Sequence, residues 1–175
     1  FSETNGISKK ICYQVDALKK CNLDVCTCYL SESDGNKYRM IDNNILSDYG
    51  HGFSSKILKR IEFNSIADYA IREGIHFVYI RSDHNANPFT INMVKKMRKA
   101  NICVVMEIPT YPYDNEYSSI YGKIILFIDK CFRKTLAKSL YRIITFSDYK
   151  SIFGTPTIQI SNGIDFDKIK LKQNI

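Results

Sequence analysis

No run of about eighteen apolar residues occurs in this 175-residue chain, so the sequence contains no candidate transmembrane helix. It also lacks a secretory leader pattern, an internal repeat and a low-complexity segment. No Cys-x-x-Cys pair and no histidine near a cysteine completes a zinc spacing, which excludes the common structural zinc modules. Acidic residues are in deficit: 18 Asp plus Glu stand against 25 Lys plus Arg, a net charge of +7. That balance favours anionic partners, whether phosphates, nucleic acid or an acidic membrane surface, without choosing among them. The basic residues are scattered and no recognised motif gathers them, so nucleic acid is not an expected partner despite the twelve tyrosines.

A hydrophobic content of 45% in a chain of this length is enough for one domain with a substantial core. Of the six cysteines, Cys103 lies in an apolar run and Cys12 and Cys131 fall in helical patterns. Reduced, mostly buried thiols in a reducing cytosol are expected, with a metal cluster at Cys21, Cys26 and Cys28 as the lesser alternative. Phe1 is not a methionine and leads at once into a polar loop, so further residues are expected upstream.

Apolar residues at Ile7, Ile11, Val15 and Leu18 recur at helical spacing after the loop Ser2–Gly6. Leu23–Leu30 and Lys37–Ile41 then read as strands, forming a hairpin around Asp34-Gly35-Asn36. The polar stretch Asp42–Phe53 reads as loop, and Ser54 as the cap of a helix carrying Ile57, Leu58, Ile61, Ala67 and Ala70. Ile75–Ile80 is a buried strand, Asn87-Pro88 starts a helix with Ile91, Val94 and Met97 inward, and Ile102–Glu107 is the next strand. A long helix over about 118–140, a strand Arg142–Phe146, a short helix near Tyr149 and a strand Thr157–Ile160 complete the pattern. Alternation of strands and helices predicts an α/β fold with a mostly parallel sheet.

Three places suit a ligand. Asn5-Gly6 before a helix offers unpaired N–H groups to an anion, although an ordinary flexible loop would look the same. Arg81-Ser82-Asp83-His84 follows a parallel strand, where ligand crevices form: Arg81 is suited to a phosphate or sugar carboxylate, Asp83 or His84 to hydroxyls. Glu107, ending the strand before Ile-Pro-Thr-Tyr-Pro-Tyr113, is placed to orient an acceptor hydroxyl or take its proton, unless it only forms a structural ion pair with Arg81. Pro109 and Pro112 stiffen the loop that carries Thr110, Tyr111 and Tyr113. The apolar stripe of the long helix, interleaved with Lys123, Lys130, Arg133, Lys134 and Lys138, fits either packing on the sheet or an anionic membrane surface.

With these residues in hand, the chain resembles the amino-terminal half of a glycosyltransferase family 4 enzyme of the GT-B fold. The motifs are Asn5-Gly6-Ile7, Glu107–Tyr113 and Ile160-Ser-Asn-Gly-Ile-Asp165, in the family's order. The resemblance implies a Rossmann-like three-layer αβα domain over residues 1–165, with 166–175 beginning an interdomain linker and Asn162, Gly163 and Asp165 forming the hinge. It implies transfer of a sugar from a nucleotide-sugar donor to a carbohydrate or lipid-linked acceptor hydroxyl, with retention and without a metal or other cofactor. Asn5, Gly6, Arg81, Ser82, Asp83, His84, Thr110 and Tyr111 would line the acceptor and donor sites. Glu107 stands where many members carry a histidine, so it takes the candidate catalytic position.

The resemblance also implies a first strand before Ser2 and a carboxy-terminal donor domain after Asp165. The chain alone is therefore expected to be inactive. Members often build surface polysaccharide, so a cytoplasmic location, with peripheral contact at the inner membrane face, is expected. The rival is a non-catalytic nucleotide- or phosphate-binding α/β module.

Overall fold

The computed structural model describes residues 6–81 and 85–161. These divide into two compact units, one ending at His51 and the other spanning Gly52–Ser161. The sequence reading counts a single domain over the same stretch.

The first unit begins with α1, Gly6–Lys20, followed by β1 (Cys28–Ser33), β2 (Asn36–Ile41) and β3 (Asn44–Asp48) in an antiparallel sheet of order β1-β2-β3. Asp34 and Gly35 both take positive φ, 50° and 78°, the two-residue turn whose twist matches antiparallel strands. That turn sets the register from Ser33↔Asn36 down to Cys28↔Ile41. The expected strand Leu23–Leu30 is therefore displaced toward the turn, because β1 extends only as far as β2 provides partners. A second tight turn, with Asp42 at φ 50°, returns the chain as β3. The expected loop Asp42–Phe53 thus contains a strand, and its polar composition is that of a mostly exposed sheet edge. Asp42 also accepts from the Thr27 N–H at 2.8 Å and the Thr27 hydroxyl at 2.9 Å, fastening the entry to β1.

The second unit has helices α2 (Gly52–Ile61), α3 (Asn64–Arg72), α4 (Pro88–Lys99) and α5 (Ile120–Ser139). Its strands are β4 (Phe77–Ile80), β5 (Cys103–Glu107), β6 (Arg142–Thr145), β7 (Ser151–Ile152) and β8 (Thr155–Gln159), in the order β4-β5-β6-β8-β7. Neighbours β4 through β8 pair in parallel, and only β7 runs antiparallel on β8. The chain is α/β, with a mostly parallel five-stranded sheet and a separate antiparallel three-stranded one. Strand–helix alternation holds from β4 to β6; before it come α1, the three-stranded meander, and then α2 and α3 with no strand between them.

Two helical expectations are corrected. The single helix expected after Ser54 is broken at Glu62-Phe63, because Glu62 turns back to accept from the N–H and hydroxyl of Ser65 while Phe63 enters the core. Ser54 is not its cap; the helix begins at Gly52. Near Tyr149 there is no helix: Phe153 and Gly154, at φ 52° and 87°, close a β-hairpin between β7 and β8.

Asn87-Pro88 does start α4. Asn87 accepts from the N–H groups of Phe89 and Thr90, and the Thr90 hydroxyl accepts from the Asn87 N–H in return. Ile91, Val94 and Met97 are buried, as their spacing predicts. They pack with Val104, Met106 and Ile143 of the sheet and Leu136 and Ala137 of α5. The six cysteines form no disulfide, but Cys12, Cys21, Cys26, Cys28 and Cys131 are exposed rather than buried. Cys131 lies on the outer face of α5, and only Cys103, within β5, is partly covered. No helix among the described residues is long and apolar enough to cross a membrane.

Candidate functional site

Side chains alternate along a strand, so the two faces of β5 carry different chemistry. Val104 and Met106 face α4 and α5 in the core, which puts Glu107 on the opposite face. In the parallel register Ile80 lies beside Met106, so Arg81 follows next to Glu107 at the carboxyl end of the sheet. The Arg81 Nε stands 3.3 Å from Glu107 Oε1. Tyr79, a diagonal neighbour on the same face, donates its hydroxyl to Glu107 Oε2 at 2.5 Å. Both carboxylate oxygens are thus engaged, and Glu107 is only 2% exposed, whereas Arg81 keeps a fifth of its side-chain surface open. The arrangement presents a cation at the rim, backed by a buried carboxylate.

The loop leaving β5 then crosses to the α5 side. Ile108 is buried in the core, Pro109 and Thr110 are exposed, and Tyr111 stacks edge-on against Tyr149 at 4.9 Å and Phe153 at 5.4 Å. Its N–H donates to Ser147 Oγ at 3.2 Å, joining the loops that leave β5 and β6.

A carboxylate that the sequence reading passed over holds this edge together. Asp129 of α5 is wholly buried; Oδ1 accepts from the Ala86 N–H and Oδ2 from the Tyr113 hydroxyl, both at 2.7 Å. Asp129 therefore ties the loops after β4 and β5 to one helix. Arg133, one turn on, bonds Asp114 Oδ1 at 2.7 Å, approaches Asp129 Oδ2 at 3.8 Å and lies over the Phe153 ring at 4.6 Å. Burial, reinforced by the bond to Asp129 and its negative charge, pushes the Tyr113 phenol far above its usual range. The Arg133 and Lys130 bonds hold the Asp114 carboxyl below its usual range. The signal was present in sequence as one acid, Asp129, amid the apolar stripe of α5, an arrangement that demands a partner.

Between α5 and the sheet, Met106, Ile108, Arg133, Leu136 and Phe153 help line a cavity of about 10 Å³, the size of one water rather than of a sugar. Among the described residues no group of histidine, cysteine and carboxylate side chains is arranged to hold a metal ion.

Of the residues singled out by sequence, Arg81 and Glu107 come together, and Thr110 and Tyr111 lie on the loop that follows. Gly6 opens α1 in the other unit. Asn5, Ser82, Asp83, His84, Asn162, Gly163 and Asp165 lie outside the described residues. Comparison of the chain with protein-family models, with curated proteins and with solved structures finds no match.

Proposed function

We propose that this chain supplies the acceptor side of a retaining glycosyltransferase, a Rossmann-like domain that works with a separate nucleotide-sugar-binding half. The single observation that carries the reading is the meeting of Arg81 and Glu107 at the carboxyl ends of adjacent parallel strands, the edge where open α/β sheets take their ligands. The resemblance in the Glu107–Tyr113 segment supports the same reading. In this proposal Arg81 receives an anionic or hydroxyl-rich acceptor, with Thr110 and Tyr111 beside it. Glu107 orients the acceptor hydroxyl through the Arg81 and Tyr79 network, and no metal takes part.

The second reading, a non-catalytic phosphate-binding module, is favoured by the engagement of both Glu107 oxygens. One experiment separates the two. Saturation-transfer NMR of the chain with oligosaccharides and with nucleotides is expected to give saccharide contacts that Arg81→Ala removes. No transfer from nucleotide sugars is expected by this chain alone. Binding of nucleotide with no saccharide contact selects the phosphate module, and sugar transfer by the chain alone overturns the division of labour.

A further inference from the structure

Helix α5 has two apolar faces, and packing on the sheet accounts for only one. Leu126 and Leu136 pack inward, but Ile120, Ile124 and Phe127, at helical spacing, point outward, with Ile120 83% and Phe127 70% exposed. Helix α2 does the same: Phe53, at 77% exposure, and Ile57 share one face with Arg60 at i, i+4 and i+7. The two helices meet there, since the Arg60 guanidinium lies 5.3 Å from the centre of the Tyr121 ring. The exposed apolar side chains of the two helices therefore flank a shared junction at Arg60 and Tyr121.

The exposed charge carried by the two helices themselves is of one sign. Neither helix carries an exposed acid: α2 has none, and the one acid of α5 is the buried Asp129. Lys56, Arg60, Lys123, Lys134 and Lys138 are all exposed. We propose that this α2–α5 face docks on an anionic lipid bilayer, with Phe53, Ile120, Ile124 and Phe127 entering the headgroup boundary and the lysines meeting acidic headgroups. A bilayer offers an apolar interior and negative charge together and requires no complementary shape. A second copy of the chain is the poorer occupant, because a twofold pairing brings the same basic set against itself and the net charge of +7 adds to the repulsion. The inference stands apart from the sugar-transfer reading and survives its failure.

The test is co-sedimentation of the 175-residue chain with vesicles of phosphatidylcholine alone and of phosphatidylcholine mixed with phosphatidylglycerol. Binding is expected to the mixed vesicles only, and to weaken as salt is raised. Ile124→Glu/Phe127→Glu and, separately, Lys123→Glu/Lys134→Glu are each expected to lower it by about tenfold or more. All four side chains are exposed, so far-UV circular dichroism and the urea midpoint should stay unchanged. Wild-type protein that remains in the supernatant with anionic vesicles overturns the proposal, as does equal binding by both folded variants. A concentration-dependent dimer that Phe127→Glu dissolves, without vesicle binding, assigns the face to self-association instead.

Discussion

The Tyr113 hydroxyl donates to Asp129 Oδ2 at 2.7 Å, and this one bond joins the loop leaving β5 to the middle of α5. The other oxygen of the same carboxylate takes the Ala86 N–H, so two loops at the sheet's carboxyl edge share one acceptor on α5. Every buried side-chain polar atom among the described residues has a partner, so removing one exposes the cost of desolvating the others.

Asp129→Ala leaves the Tyr113 hydroxyl and the Ala86 N–H buried without their acceptor, and should destabilise the protein by about 3–5 kcal/mol. Tyr113→Phe removes only one donor and should cost about 1–2 kcal/mol. Urea unfolding of both single variants and the double variant checks this: independent effects, with no coupling between the two, would contradict the assignment of Asp129 as a shared acceptor.

Tyr113 also predicts the alkaline limit of stability. Its phenol is raised in the folded state, so the folded protein keeps a proton that the unfolded chain releases above about pH 10. Stability is therefore fully present below the unfolded value and declines as pH rises beyond it. Tyr117, raised by burial against the opposing effect of its bond with Asn85, adds to the same trend. Urea midpoints measured across this range should fall less steeply with pH in Tyr113→Phe than in the wild type.

For Glu107 the two candidate roles give different outcomes. Glu107→Ala removes the acceptor of Tyr79 and the counter-charge of Arg81. Because Arg81 retains contact with solvent, the loss should be about 2 kcal/mol, below the ~3–5 kcal/mol seen when the remaining charge stays fully buried. Glu107→Gln keeps an oxygen for Tyr79 and should lose less. If Glu107 only braces Arg81, saccharide contacts in saturation-transfer spectra persist in the folded glutamine variant; if it orients the acceptor, they vanish while the urea midpoint barely moves.

The start of α4 offers a purely local prediction. Asn87→Ala removes the side-chain acceptor for two N–H groups and should cost about 0.5–2 kcal/mol, whereas Asn87→Asp retains it and should be close to neutral. Thermal unfolding of the two variants side by side measures the difference.

Features with local causes were legible from the residues. The α4 start follows from a capping side chain and a proline that needs no N–H, and the first hairpin follows from two adjacent residues that accept positive φ. The apolar runs ending at Ile80 and Glu107 declared parallel strands, and the adjacency of Arg81 and Glu107 followed from one intervening helix. The break at Glu62-Phe63 was harder to see, because the apolar positions on either side continue a helical pattern while a side-chain bond to Ser65 ends it.

Composition, periodicity and turn chemistry are short-range properties, and they alone settled that β4, β5 and β6 are strands and where α4 begins. The partners of Asp129 lie 16 and 43 residues away, and no local rule selects them. Folding of the crossovers around the sheet brought them together, sent Glu107 to the face opposite α5, and left one apolar side of that helix in solvent. A side chain's neighbours across the sheet depend on how whole elements pack, and that packing is a property of the assembled chain rather than of any window along it.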